Sequence, residues 1–109
     1  MKIGFKEMEA EIIPKFKDGE GEFIAKIQFD GVNKIIYGTL PKGSTIGYHK
    51  HETNSEIIYI LDGNGKCLFD DTEEVLSAGD CHYCPKGHSH SLINNSDADL
   101  TFFAVVPEQ

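Results

Sequence analysis

Five histidines occur in this chain, and all of them, His49, His51, His82, His88 and His90, fall between Tyr48 and Ser91. Imidazole is the side chain best suited to hold a first-row metal or to move a proton near neutral pH. His49 and His51 form an i, i+2 pair. On an extended segment such a pair leaves one face, so both rings can reach one interior point. Glu56 follows five residues after His51, and His90 comes much later, after Pro85-Lys86-Gly87. Three imidazoles and one carboxylate converging inside a small barrel would hold a transition metal and leave positions for water or substrate. A lone histidine is more often a hydrogen-bonded core residue. The reading therefore rests on the set.

The elements that must position this set read as short strands between turns. Glu22 to Phe29 alternates Phe23, Ala25, Ile27 and Phe29 with Ile24, Lys26 and Gln28, a half-buried strand pattern closed by Asp30-Gly31. Further strands are expected at Lys34–Leu40, Thr45–Tyr48, Ser55–Leu61, Lys66–Phe69 and Glu73–Ser77. Cys81–Cys84, Ser89–Ile93 and Leu100–Val106 complete the series. Turn signals recur about every 8–12 residues, as in an all-β sandwich or small barrel. Glu7 to Ile13 could be strand or a short helix. The fold class is all-β.

At 109 residues the chain has room for one domain. Ten Lys and no Arg against 18 Asp plus Glu leave a net charge of −8, which argues against nucleic acid and anionic membrane surfaces as partners. No apolar run reaches the roughly 18 residues needed to span a bilayer, and Met1 to Phe16 lacks the apolar core of a signal peptide. Three cysteines make no disulfide framework. A reducing, cytoplasmic location is expected.

Two motifs sharpen the metal reading. Gly43, five residues, His49-Lys50-His51, four residues, Glu56, six residues and Gly63 form the first. Gly79, five residues, Pro85-Lys86-Gly87, two residues, His90, three residues and Asn94 form the second, with fifteen residues between the two. Both resemble the motifs of the cupin superfamily, and the resemblance extends over about Glu22 to Val106. It implies a double-stranded β-helix, two antiparallel sheets curled into a jelly-roll barrel. It divides the chain into an N-terminal segment, residues 1–21, and a cupin domain, residues 22–109. His49, His51, Glu56 and His90 match the family's four ligand positions, which implies one divalent transition metal. Mn, Fe, Ni and Zn suit these donors almost equally. The motif glycines and Pro85 are expected to serve turns, and Asn94 to bond within a turn.

Strand parity supplies further candidates. Cupins with bulky active-site residues place them where His82 and Cys84 stand, so His82 is a candidate proton carrier lining the pocket. Its alternative is a hydrogen-bonded wall residue. Cys81 and Cys84 spell C-x-x-C, but residues three apart on a strand point to opposite faces, which disfavours a redox pair. Cys67 reads as a small buried hydrophobe. His88 is expected at the rim, with Tyr48 and Tyr59 on the outer face. Lys26, Tyr37 and Thr39 could reach the pocket, and Phe103 and Val105 could narrow its mouth or simply be core.

The family implied by the motifs includes isomerases, decarboxylases, dioxygenases, lyases, sugar-binding sensors and storage proteins. The leading expectation is a metal-dependent enzyme acting on an oxygen-rich small molecule such as a carboxylate, enolate or sugar. The alternative is a non-catalytic binding or sensing module. Without Arg, an anion must be held by metal, Lys or backbone donors. Ile57, Tyr59, Leu61 and Tyr83 share an outward parity, and with stand-alone cupins commonly pairing, a homodimer is expected. Residues 1–21 would either cross to the partner or fold back over their own sheet.

Overall fold

The alternation that marks Glu22–Phe29 becomes a real strand because one face must bury Phe23 and Ala25 while the other meets solvent. The computed structural model describes residues 1–109. Its strands are β1 (Glu11–Pro14), β2 (Glu22–Phe29), β3 (Asn33–Leu40), β4 (His49–Lys50) and β5 (Glu56–Asp62). They continue as β6 (Asn64–Phe69), β7 (Thr72–Ser77), β8 (Cys81–Cys84), β9 (Ser89–Ile93) and β10 (Leu100–Pro107). Every strand pairing is antiparallel. One sheet runs β1-β2-β3-β10-β5-β8 and the other β4-β9-β6-β7, the two layers of a jelly roll.

The core lies between the sheets. Phe23, Ile36, Ile58, Ile60, Phe102 and Ala104 of the six-stranded sheet meet Cys67, Leu76 and Leu92 of the other. Phe23 and Phe102 stack at 5.9 Å between ring centroids. Gly38 makes that contact possible, since a Cβ there would lie 2.6 Å from the Phe102 ring and 2.8 Å from Phe23. No helix is long and apolar enough to cross a membrane.

Several expectations need correction. Thr45–Tyr48 is not a strand: Thr45 makes only an isolated bridge to Ile93, and the ladder with β9 begins at His49. The cause is Gly47, whose N–H donates to the Phe16 carbonyl (3.0 Å) instead of joining a sheet. Phe103 and Val105 neither line the mouth nor belong to the core, because β10 buries Leu100, Phe102, Ala104 and Val106 on its inward face. Lys26, Tyr37 and Thr39 likewise sit on outward positions of β2 and β3. Lys26 Nζ donates to the Phe5 carbonyl at 2.9 Å, beside Tyr37.

The first 21 residues fold back on their own chain. A 3-10 turn at Phe5–Glu7 places Phe5 against Tyr37 and Phe103, at 5.7 and 6.4 Å between centroids. Strand β1 then pairs with β2, so the ambiguous Glu7–Ile13 region resolves into turn and strand. A strap follows, Lys15 to Gly21, with Lys15, Lys17 and Asp18 all at positive φ. It packs so closely on Gly47 that a Cβ there would fall 1.8 Å from the Lys17 carbonyl oxygen.

Candidate metal centre

Both sheets contribute to one cluster. His49 on β4 and His90 on β9 are direct cross-strand partners, and Glu56 opens β5 in the opposite sheet. His51 lies just past β4, where its N–H donates to the His88 carbonyl (2.9 Å) and its own carbonyl accepts from Gly87 N–H (2.7 Å). The i, i+2 spacing works as expected. His49 and His51 bring their Nε2 atoms to 3.2 Å, and His51 Nε2 lies 2.9 Å from His90 Nε2. Glu56 Oε1 is 3.0 Å from His90 Nε2 and 3.3 Å from His51 Nε2. All four donor atoms fall within 4.8 Å of one another.

The rings are aimed from behind. His49 Nδ1 lies 2.7 Å from the Gly47 carbonyl, which can only accept, so Nδ1 carries the hydrogen. His51 Nδ1 faces Asn54 Oδ1, and the Asn54 amide nitrogen in turn donates to Glu108 Oε1 at 3.2 Å, which sets the amide's orientation. Both Nε2 atoms are thus left to accept a proton or a metal. His90 Nδ1 lies 3.0 Å from His82 Nε2, and His82 Nδ1 lies 2.7 Å from Glu74 Oε1.

The electrostatics favour positive charge where these atoms converge. Burial alone would raise Glu56, but hydrogen bonds with His51 and His90 outweigh it and hold the carboxyl down at about 2. Glu56 is therefore ionised. Burial pushes His49 down, only partly offset by its bond to Gly47. Burial also works to lower His51, yet Glu56 and Asn54 outweigh it and the ring is raised. Three ring nitrogens with neighbouring spacings of 2.9–3.2 Å beside a carboxylate suit a shared cation. Their spacing also matches the roughly 3 Å separation of adjacent donors around a metal with bonds near 2.1 Å. The residues fit a divalent first-row ion.

A cavity of about 340 Å³ opens over His49, His51 and Glu56. Phe16, Phe23, Ile36, Ile46 and Val106 give it an apolar wall, while Lys17, Lys34, Lys50 and Glu52 bring charge to its lining. His90 is buried beneath the other ligands. His82 does not line the cavity: it is 2% exposed and sits behind His90, the position of the wall-residue alternative. His88 is half exposed and paired with Asp70. Cys81 is exposed and Cys84 buried, on opposite faces of β8, so the two do not meet. Tyr48 and Tyr59 are exposed, as their parity requires. Asn94 donates to the Ala98 carbonyl within its own turn and to the Leu40 carbonyl at the end of β3, at 2.7 Å each.

Residue type and spacing did not disclose Asn54, Glu74, Lys17 or Lys34. Glu74 alone left a trace, because β7 turns Glu74 and Leu76 inward and leaves Val75 84% exposed. An inward acid beside an outward valine implies an interior polar partner.

Comparison with known proteins agrees with this architecture. The Cupin_2 family model, a cupin domain, matches residues 36–106. The chain belongs to the cupin family. This cupin is 43% identical to an oxalate-binding protein of Thermotoga maritima, over 97% of this chain and 93% of the relative. Among solved structures, a predicted oxalate decarboxylase from Thermotoga maritima superposes with a TM-score of 0.93 at 31% identity, covering 100% of both chains. A cupin domain from Schizosaccharomyces pombe gives a TM-score of 0.80 at 11% identity, covering 100% of this chain and 74% of that one, a likeness of fold alone.

Proposed function

We propose that this cupin is a metal-dependent receptor for a small oxygen-rich anion of the oxalate class. His49, His51, Glu56 and His90 would hold one divalent transition metal. The observation that carries the reading is the convergence of three Nε2 atoms and a carboxylate oxygen beside a cavity with three lysines in its lining. Bound there, a divalent ion would supply Lewis acidity to a carboxylate ligand. The chain's own residues do the rest. The apolar wall limits water, and Lys17, Lys34 and Lys50 attract and orient negative charge that no guanidinium is present to clamp. The oxalate-binding relative supports this choice of ligand.

A second reading is turnover of the same ligand by a lyase, decarboxylase, isomerase or dioxygenase reaction. It draws on Glu52, a carboxylate on the cavity wall able to give or take a proton, since His82 is shut away behind His90.

Elemental analysis of protein purified without chelator, followed by calorimetric titration with oxalate, tests the proposal. We expect about one metal per chain, loss of that metal in a His49→Ala/His51→Ala variant, and oxalate binding only by the loaded protein. Equal metal in wild type and variant, or oxalate binding unaffected by stripping, overturns it. Oxalate recovered unchanged after prolonged incubation supports the receptor, whereas its consumption establishes the second reading.

A further inference from the structure

The cavity over the donor cluster joins two unlike surfaces. His49, His51 and Glu56 bring the ligating groups, and Phe16, Phe23, Ile27, Ile36, Ile46 and Val106 bring apolar surface. Strand order explains the layout. The six-stranded sheet runs β2, β3, β10, β5, so the apolar residues of β2, β3 and β10 spread to one side of Glu56 on β5. Ile27 pairs with Ile36, and Ile36 with Ala104, which gives an apolar floor across three strands. Phe16 joins it from the strap, with its ring centroid 5.3 Å from that of Phe23. Phe16 and Ile27 pack against the core yet stay only partly buried. Open apolar surface of this kind favours an apolar group that displaces water from it.

Oxalate matches only the ligating surface. Its two carboxylates are joined directly, and it has no apolar group to set against the floor. Volume points the same way. The cavity of about 340 Å³ has room for roughly eleven water-sized groups at about 30 Å³ each, and a two-carbon dianion fills about half of it.

We propose that the cavity takes an α-oxo acid, with its carboxylate and adjacent carbonyl oxygen at the donor cluster and an apolar arm of about four carbons on the Ile27–Ile36 floor. The inference rests on the proposed function, whose paired oxygens it keeps, and it names the substituent that the rest of the cavity selects. Lys34 bears on how that arm ends. It has the inward parity of Ile36 and pairs with Val106, but its ammonium lies 5.8 Å from the centroid of the Phe29 ring. Phe29 is exposed at the end of β2 and does not line the cavity. The charge is drawn toward the rim, and the floor is left to an arm without an acid at its end.

Calorimetric titration of the metal-loaded protein with oxalate, pyruvate, α-oxobutyrate, α-oxovalerate and α-oxocaproate tests the proposal. We expect affinity to rise about two- to fourfold with each added methylene of the oxo acids, and the heat-capacity change to become more negative along the series. α-Oxoglutarate matches α-oxovalerate in chain length but ends in a carboxylate, and it should bind more weakly. Ile27→Thr keeps the β-branch that suits a strand, and should lower the ratio of α-oxocaproate to oxalate affinity several-fold. A ratio taken within one variant does not move when part of the sample fails to fold. Affinity that is flat along the series, tighter binding of α-oxoglutarate, or an unchanged ratio in Ile27→Thr overturns the apolar arm, while metal-dependent oxalate binding leaves the proposed function standing. Equal binding of α-oxocaproate by metal-stripped protein supports the arm and overturns the metal's part. Absence of binding by oxalate and by every oxo acid overturns both.

Discussion

Lys17 is an unusual residue, because it holds φ at 56° without being glycine and yet sits in the cavity lining. Left-handed backbone at a non-glycine residue is costly and persists only where surrounding contacts enforce it. Here the enforcing contacts are the Phe16 carbonyl with the N–H groups of Gly19 and Gly47, both at 3.0 Å. The ammonium group lies 5.6 Å from the Phe16 ring centroid and is close enough to His51 to oppose its protonation. Lys17 lines the cavity without belonging to the donor cluster, so its part in anion recognition can be tested apart from metal retention. Lys17→Met should weaken oxalate binding by about tenfold, the loss of one charge-assisted hydrogen bond, and leave metal content unchanged. Calorimetry beside elemental analysis checks both halves. Equal oxalate affinity would assign orientation to Lys34 or Lys50 instead.

At the scale of elements, the connections brace what the strands position. The Lys15–Gly21 strap rests on Gly47, whose carbonyl in turn orients His49. Gly47→Ala forces the strap away from the Lys17 carbonyl and should destabilise the fold by about 1–3 kcal/mol, measured by urea unfolding. Metal affinity should fall with it, since the same residue aims a ligand.

The β6–β7 turn is tied to the loop before β9 by Asp70, which faces His88 Nδ1 and accepts from Ser89 N–H at 3.0 Å. The His88 contact first, and the Ser89 bond second, hold the Asp70 carboxyl below its ordinary 3.8. A carboxyl depressed in the folded state contributes stability above its unfolded value and loses it as pH falls through the folded one. Wild type should therefore exceed Asp70→Asn in urea midpoint above about pH 4, and the gap should close in more acidic buffer. A constant difference from pH 7 to pH 2 would show that the charge is not what ties the turn.

For the molecule as a whole, one sheet face is left partly uncovered. The N-terminal segment covers Tyr37 and Phe103 with Phe5, but Ile57, Tyr59, Leu61 and Tyr83 remain exposed on β5 and β8. Strand β8 is also the edge of its sheet, where unpaired backbone groups invite a partner. A two-fold pairing would bury the patch against its own copy. Light scattering should give twice the chain mass of 12.1 kDa, and Tyr59→Lys/Tyr83→Lys should return the single-chain mass. A wild-type mass of 12.1 kDa at all concentrations rejects the dimer.

What the sequence determined by itself is what local periodicity and motif spacing can carry. Alternation along β2, β5 and β10 set which residues face inward, because a strand's side-chain period of two admits only one register against a core. The spacing of His49, His51, Glu56 and His90 sufficed to expect their convergence. Tertiary structure alone decided what stands behind them. His82 has the inward parity expected of a pocket residue, yet His90 occupies the space between it and the cavity. Asn54 acquires its role from Glu108, at the other end of the chain, and Glu74 from a histidine on the opposite sheet. Lys17 reaches the cavity because of a strap whose left-handed backbone no periodicity encodes. Asn54 and Glu108 lie far apart in sequence, whereas Glu74, His82 and His90 are only eight residues apart each time but stand on alternate sheets, so only the folded arrangement brings either set within hydrogen-bonding distance.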